Sequence, residues 1–481
     1  MAVTIVAHLP ALRWGEEYAS LTTLELKDHR DGAAVARLSQ VNAGLVRRDL
    51  KRAEQAGRAL RALTAREILA RCRAAAELFL EAELPLSDGL TQSGAEYRAQ
   101  LSATGGLPLT LARANQEKLA GVLRELETIV AGLTRGLTPE TLDAAVGEHA
   151  GIPLWFAPQT RALGAVLPSN SPGVNALWLP ALAFKVPVVL KPGSADPWTP
   201  LRLVRALVAA GLPREAFALY PTDHEGAAAI LDGCERALLF GDARTTAPWA
   251  GKAAVEIHGP GRSKVWIGAD EVERWEGYLD VLLDSIALNG GRSCVNASCV
   301  VVPRHADAIA EALATRLAAL RPRPLDDPAA GLAAFADASL AQRIDGAITD
   351  ALEAPGAREV SAALRQGARC ITLAGSTFLQ PTIVRCEARE HPLANTEYLF
   401  PFASVVEVED AEALAWMGDS LVVSAITRDP ENIARLTRSK HIGRLNLGPT
   451  PTPSVRWDQP HEGNLFDFLF TRRAVQRARG W

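Results

Sequence analysis

The chain has 481 residues, 48% of them hydrophobic, enough to bury a large core and to divide into two or three domains of roughly 100–200 residues each. Its 51 basic and 55 acidic side chains leave a net charge of -4, which excludes the electrostatic footprint of a nucleic-acid or anionic-membrane binder and makes a small molecule the expected partner. Six cysteines without C-x-x-C spacing exclude a disulfide scaffold, and nine histidines scattered without ligand spacing give no metal site to expect.

Taken in order, residues 1–8 lack the basic and apolar regions of a signal peptide. Together with free thiols suited to a reducing compartment, this makes cytoplasmic the expected location. The first 135 residues read as mainly helical: Ile68, Cys72, Ala75 and Phe79 recur at helical spacing, and the helix is stopped near Leu84 and Pro85. Cys72, Cys234, Cys370 and Cys386 read as small buried hydrophobes. From residue 163 the pattern changes. Five β-type runs (164–167, 186–191, 217–220, 237–240, 254–257) alternate with helical candidates at 175–185, 199–210, 224–232 and 244–251. That alternation predicts a doubly wound parallel sheet, whose ligands lie beyond the carboxyl ends of the strands. Asn170, Lys191, Gly241 and Glu256 fall at or just after those ends. The most apolar stretch, 174–190, is interrupted by Pro180, Lys185 and Pro187, too often for a membrane-spanning helix.

A second α/β unit follows from about 258, with strand candidates 297–302, 404–409 and 421–427 and an amphipathic helix over 306–320 carrying Ile309, Leu313, Leu317 and Leu320. Residues 322–331, rich in Pro, read as a surface loop. The apolar run 464–471 reads as exposed in a monomer and suited to pair with a neighbouring subunit. The chemistry concentrates at Cys294, where Asn289-x-Gly-x-x-Cys294 presents a thiol on a small, Gly-rich turn before an apolar strand. A thiol becomes a nucleophile through its thiolate, so a base and an oxyanion donor are required nearby. Cys299, on the following strand, reads as structural.

Seven segments recur in an order and spacing that resemble the aldehyde dehydrogenase superfamily, as a divergent member, over about 160–430. They are Pro168-Ser-Asn170-Ser-Pro172, Pro180-Ala-Leu-Ala183, Val188-Val-Leu-Lys191-Pro192, Phe240-Gly241-Asp242, Val255-Glu256-Ile257-His258-Gly259, the Asn289-to-Cys294 turn, and Glu397-Tyr398-Leu399-Phe400. The resemblance implies an α/β fold of three parts: a Rossmann-type dinucleotide-binding domain (1–134 and 162–257), a catalytic domain (258–445), and an oligomerisation hairpin and C-terminal arm (135–161 and 446–481). It implies Cys294 as nucleophile, the Asn170 amide and the Cys294 backbone N–H as oxyanion donors, and Glu256 as the base that activates water against a thioester. Read alone, Asn170 could equally cap the next helix. Lys191 would hold the adenosine ribose, with Pro168, Ser194, Gly241, Glu397 and Phe400 completing the cofactor site.

Departures from the family pattern shape the expectations. Ser194 stands where a Glu often opposes a 2′-phosphate, so NAD or NADP is expected. Tyr398 replaces the Glu that binds the nicotinamide ribose, leaving Glu397 as its substitute, and His258 replaces a Gly, where it would tune Glu256 or meet a polar substrate group. The family's Gly-Gly-x-Lys run is missing from 448–465. The implied activity is NAD(P)-dependent oxidation of an aldehyde by a homodimer or homotetramer. The alternatives are a CoA-dependent acylating dehydrogenase and a cofactor-binding protein without turnover.

Overall fold

The computed structural model describes residues 6–87, 89–365, 367–476 and 478. Two seven-stranded sheets dominate it. The first runs, in spatial order, Val255–His258, Arg236–Phe240, Leu163–Val166, Val188–Lys191, Phe217–Leu219, Ala11–Arg13 and Glu16–Tyr18. Its first five strands are parallel and the last two antiparallel. Leu163–Val166 is central, with the chain passing first to Val188–Lys191 on one side and later to Arg236–Phe240 on the other, which opens a crevice at the carboxyl ends.

Burial explains why these runs are strands. Leu163, Ala165, Val188 and Leu190 face one apolar cluster and Val189, Ala218, Ala237 and Leu239 the other, so each face of the sheet is covered. Helices Ala65–Glu81, Leu109–Arg124 and Trp198–Ala209 pack with the first cluster, and Ala43–Leu50, Ala53–Arg61 and His224–Gly233 with the second. The start of Ala65–Glu81 is set by a capping box, Thr64 accepting from the Glu67 N–H while Glu67 accepts from the Thr64 N–H.

The second sheet runs Ala357–Glu359, Thr382–Cys386, Phe402–Glu407, Ala297–Val302, Ser263–Ile267, Ser420–Ile426 and Ile442–Leu447. All its pairs are parallel except that of Ala357–Glu359. A third, three-stranded sheet joins the hairpin Val146–His149 and Ile152–Pro158 to Phe470–Arg473.

The doubly wound sheet agrees with the sequence expectation, and three local readings are corrected here. The N-terminal 135 residues are not mainly helical throughout: residues 7–39 hold five strands of three to six residues. Such short strands carry too little periodicity to be read locally and form because distant strands receive them, as Leu12 pairs with Leu219. The helix expected over 175–185 is two pieces, Pro172–Leu177 and Pro180–Ala183, and that over 244–251 is Ala243–Thr246 and Ala247–Trp249. Pro180 and Pro248 each remove an N–H that a continuous helix would need. Residues 322–331 form a surface loop as expected, pinned by Leu325 at 3% exposed.

The run 464–471 is internal: Leu465, Phe466 and Leu469 are buried, and Phe466 meets Phe156, Phe184 and Phe470 at 5.0–5.3 Å between ring centroids. Its strand pairs with this chain's own hairpin. Positions 477 and 479–481 of the expected arm, like 1–5 of the first domain, lie outside the described residues. Among the described residues no helix is long and apolar enough to cross a membrane.

Candidate active site

The turn carrying Cys294 is built by three consecutive left-handed residues, Asn289, Gly290 and Gly291, at φ between 57° and 67°. Only Gly, and less readily Asn, enters that region without strain. At Gly291 a Cβ would also stand 2.5 Å from the Phe400 backbone. The Asn289 amide accepts from Asn115 Nδ2 at 2.7 Å and donates to Ser293 Oγ at 3.1 Å. Asn296 accepts from the Ser293 N–H and donates to the carbonyls of Ser285 and Leu288. Ser263 Oγ donates to the Cys294 carbonyl at 2.8 Å, and the half-buried Arg292 donates to the carbonyls of Gly105 and Ala334. The thiol thus rises from a turn fixed by a network of side-chain hydrogen bonds, in which Arg292 Nε is left without a partner among the described residues.

Asn170 reaches this turn from the end of the first sheet: its Nδ2 donates to the Arg292 carbonyl at 2.9 Å. It does not cap the following helix, where Ser171 occupies the N-cap position without a side-chain bond. Glu256, on Val255–His258, is half-buried, and burial raises its carboxyl above the usual range, offset in part by His258. Gly463 lies against it, so close that a Cβ there would stand 2.1 Å from Oε1.

Sequence reasoning missed Glu462. Its Oε1 accepts from Cys294 Sγ at 3.4 Å and its Oε2 from His258 Nδ1 at 2.7 Å, while His258 Nε2 stands 3.8 Å from Glu256 Oε1 without a hydrogen-bond partner. Burial opposes the charge on Glu462, but the His258 hydrogen bond and charge, with His461, hold its carboxyl down at about 2. Burial first, then the charges of Glu462 and Glu397, push the Cys294 thiol well above its usual range. His461, 4.0 Å from Glu462, accepts from Arg444 at 2.6 Å and is pushed down to about 3 by burial and by that guanidinium. No motif marked Glu462, because the segment holding it departs from the family's pattern; its only signal was proximity that the fold creates. With Lys118, Gly173, Leu177, Glu256, His258 and Gly463 it lines a cleft. Among the described residues no three His, Cys, Asp or Glu side chains converge as metal ligands.

The remaining expected site residues lie along the carboxyl ends of the first sheet and on the second. Lys191 ends its strand with an amine that makes no hydrogen bond or ion pair among the described residues, and desolvation lowers its basicity. Ser194 is exposed on the next turn. That turn packs on the Pro168 carbonyl and Ser169 Oγ, which would lie 2.4–2.5 Å from a Cβ at Gly193. Gly241 donates its N–H to the His258 carbonyl, and Asp242 caps the short helix after it by accepting from the Thr245 N–H. The His258 ring stacks on Phe240 at 4.5 Å. Glu397 accepts from the Arg262 N–H, and burial pushes its carboxyl up to about 7. Phe400 is 2% exposed, packed with Tyr398 and Phe402. Cys72, Cys234, Cys299 and Cys386 are buried and Cys370 partly so.

Two open α/β sheets thus meet at the Cys294 thiol, with the carboxylates of Glu256 and Glu462 in the same cluster. Residues 16–464 match the model of the aldehyde dehydrogenase family, and the chain belongs to that family. It is 26% identical over 402 residues to a vanillin dehydrogenase of Pseudomonas sp. (strain HR199 / DSM 7063), covering 76% of each chain. An indole-3-acetaldehyde dehydrogenase solved with NAD+ superposes at a TM-score of 0.78 with 20% identity, over 98% of this chain and 97% of that one. An E. coli NADP-dependent enzyme superposes at 0.77 with 20% identity, over 97% of both.

Proposed function

We propose that this enzyme oxidises an aldehyde to a carboxylic acid with NAD or NADP. The observation that carries the reading is the Cys294 turn, locked by Asn289 and Ser263 and met by Asn170 from one side, with Glu256 in the same cluster. A bare aldehyde has no tetrahedral carbon from which hydride can leave, so covalent capture must come first. The Cys294 thiol gives up its proton to water, the sulfur bonds to the carbonyl carbon and the carbonyl oxygen becomes an oxyanion, accepting from the Cys294 N–H and from the Asn170 N–H not committed to Arg292. A bound NAD or NADP supplies the hydride acceptor. The acyl group is then left as a thioester on Cys294. Glu256 takes a proton from water as that water adds to the thioester; the C–S bond breaks, releasing the acid, and the sulfur regains its proton.

The chain's own residues fit the dinucleotide on its adenosine side. Lys191 offers a desolvated, unpartnered amine that two ribose hydroxyls would satisfy, flanked by Pro168 and Ser194. Gly241 forms the turn at the switch point, and Glu397 and Phe400 border the Cys294 turn where the reacting end would lie. An exposed hydroxyl at Ser194 in place of a carboxylate leaves room for a 2′-phosphate, so NADP is accepted as well as NAD. We assign cofactor binding to 1–134 with 162–257, catalysis to 258–445, and assembly into a homodimer or homotetramer to 135–161 with 446–481. Val146, Ile152 and Leu447, on the hairpin and on the outer strand of the second sheet, support that assembly as exposed apolar groups.

The test is initial-rate formation of NADH and NADPH from a panel of aldehydes, with and without CoA, for the native chain and Cys294→Ser. Turnover without CoA that vanishes in the variant is expected. A strict need for CoA would replace hydrolysis with acyl transfer and leave Glu256 without its role.

A further inference from the structure

One side chain stands between the cleft and the thiol. Glu462 is on the cleft wall with Glu256, His258 and Lys118, whereas Cys294 is not. Only 6% of the Glu462 side chain and 7% of that of His258 remain exposed. Stacked on Phe240, His258 has little freedom, and it fixes one carboxylate oxygen while the other accepts from Sγ. We propose that Glu462 is a positioning residue that keeps Cys294 a neutral thiol in the resting enzyme, and that an aldehyde entering by the cleft displaces this carboxylate before the nucleophile forms. The proposal rests on the reading of Cys294 as the nucleophile.

The reason lies in what a carboxylate can do. An ionised carboxylate only accepts hydrogen bonds, so the sulfur facing it must carry the proton. A thiolate at the same place would set two negative charges 3.4 Å apart in a desolvated corner. The groups facing the pair divide: the cations favour ionisation of both the carboxyl and the thiol, while the neighbouring carboxylates oppose ionisation of the thiol. His258 donates from the strand end, and His461 adjoins Glu462 on its own segment. Lys118 on Leu109–Arg124 and Arg444 on Ile442–Leu447 act as more distant cations on both Cys294 and Glu462. Glu256 and Glu397 add negative charge, the latter directly against ionisation of the thiol. A carboxylate held this firmly ionised is too weak a base to draw off the thiol proton, so it restrains the sulfur rather than activating it.

The experiment is the pH profile of Cys294 alkylation by iodoacetamide, followed by the mass of the Cys294 peptide, in the native chain, Glu462→Gln and Glu462→Asp. The Gln carbonyl can still accept from His258, but its amide donates toward sulfur and carries no charge, which favours the thiolate. The midpoint in Glu462→Gln is expected to fall by about one pH unit or more, with about tenfold faster alkylation at neutral pH, while Glu462→Asp stays near native. A Glu462→Gln profile that is unchanged or moves upward overturns the proposal. The native profile is a second test that does not depend on any variant folding: a midpoint below the ordinary thiol range of about 8.5 overturns it as well. Aldehyde-dependent reduction of NAD(P), measured on the same samples, separates the two readings. A shifted alkylation profile without turnover would retain Glu462's role and remove the dehydrogenase reading; turnover with an unshifted profile would do the reverse.

Discussion

Gly463 holds φ at +65° directly against the Glu256 carboxylate, where a Cβ would stand 2.1 Å from Oε1. Gly463→Ala therefore combines a left-handed penalty of about 1–2 kcal/mol with displacement of the proposed base. A drop in kcat on the order of a hundredfold is expected in steady-state assays, with a lowered melting temperature. At Ser194 the expected change is selective: Ser194→Glu places a carboxylate beside the ribose site and should weaken NADPH more than NADH in fluorescence titrations. As the proposed base, Glu256 should set an acid limit to activity. Its carboxyl is raised by burial, and only the ionised form can act as a base, so kcat/KM should fall as pH drops through a value above the ordinary carboxylate range of about 4.3. Glu256→Gln should remove that limb along with most of the rate, and a native limb at or below the ordinary range would contradict the role. Cys294, Asn170 and Glu256 were named from motif order and strand-end position, and the fold brings them into one cluster. Glu462 was not legible in the sequence, since a glutamate in an irregular segment carries no periodic or spacing signal, and its importance comes from a sulfur 168 positions away.

Among the elements, the C-terminal segment Leu465–Leu469 is fastened by aromatic packing: Phe466 is 4% exposed between Phe156, Phe184 and Phe470. Phe466→Ala should cost about 3–5 kcal/mol by denaturant unfolding. Because the same segment continues from Glu462 and Gly463, it should also loosen the cleft. Read locally, this run looked like an exposed arm, since apolarity does not say which surface will cover it. The parallel strands were easier to read because each is apolar on both faces and bounded by turns. Helices broken at Pro180 and Pro248 were overextended by a reading that weighed periodicity above the missing N–H.

For the whole molecule, two strand edges and their apolar neighbours define the expectation. The hairpin strand Val146–His149 ends the three-stranded sheet, Ile442–Leu447 ends the second large sheet, and Ile152 and Leu447 are 57% and 48% exposed. Native mass spectrometry should record a dimer or tetramer, and Ile152→Asp should shift it toward monomer; a native monomer at micromolar concentration would remove the assembly role. The alternation of strands and helices, the apolar strand cores and the ordered motifs were determined by sequence alone, because each is a local pattern that backbone geometry converts directly into a sheet with its site at the strand ends. Tertiary structure alone decided three things: the five short N-terminal strands, the inward turn of 464–471, and the meeting of Cys294, His258 and Glu462. Each depends on contacts between residues far apart in the chain, and the free energy of such contacts comes from burial and pairing that no local window contains.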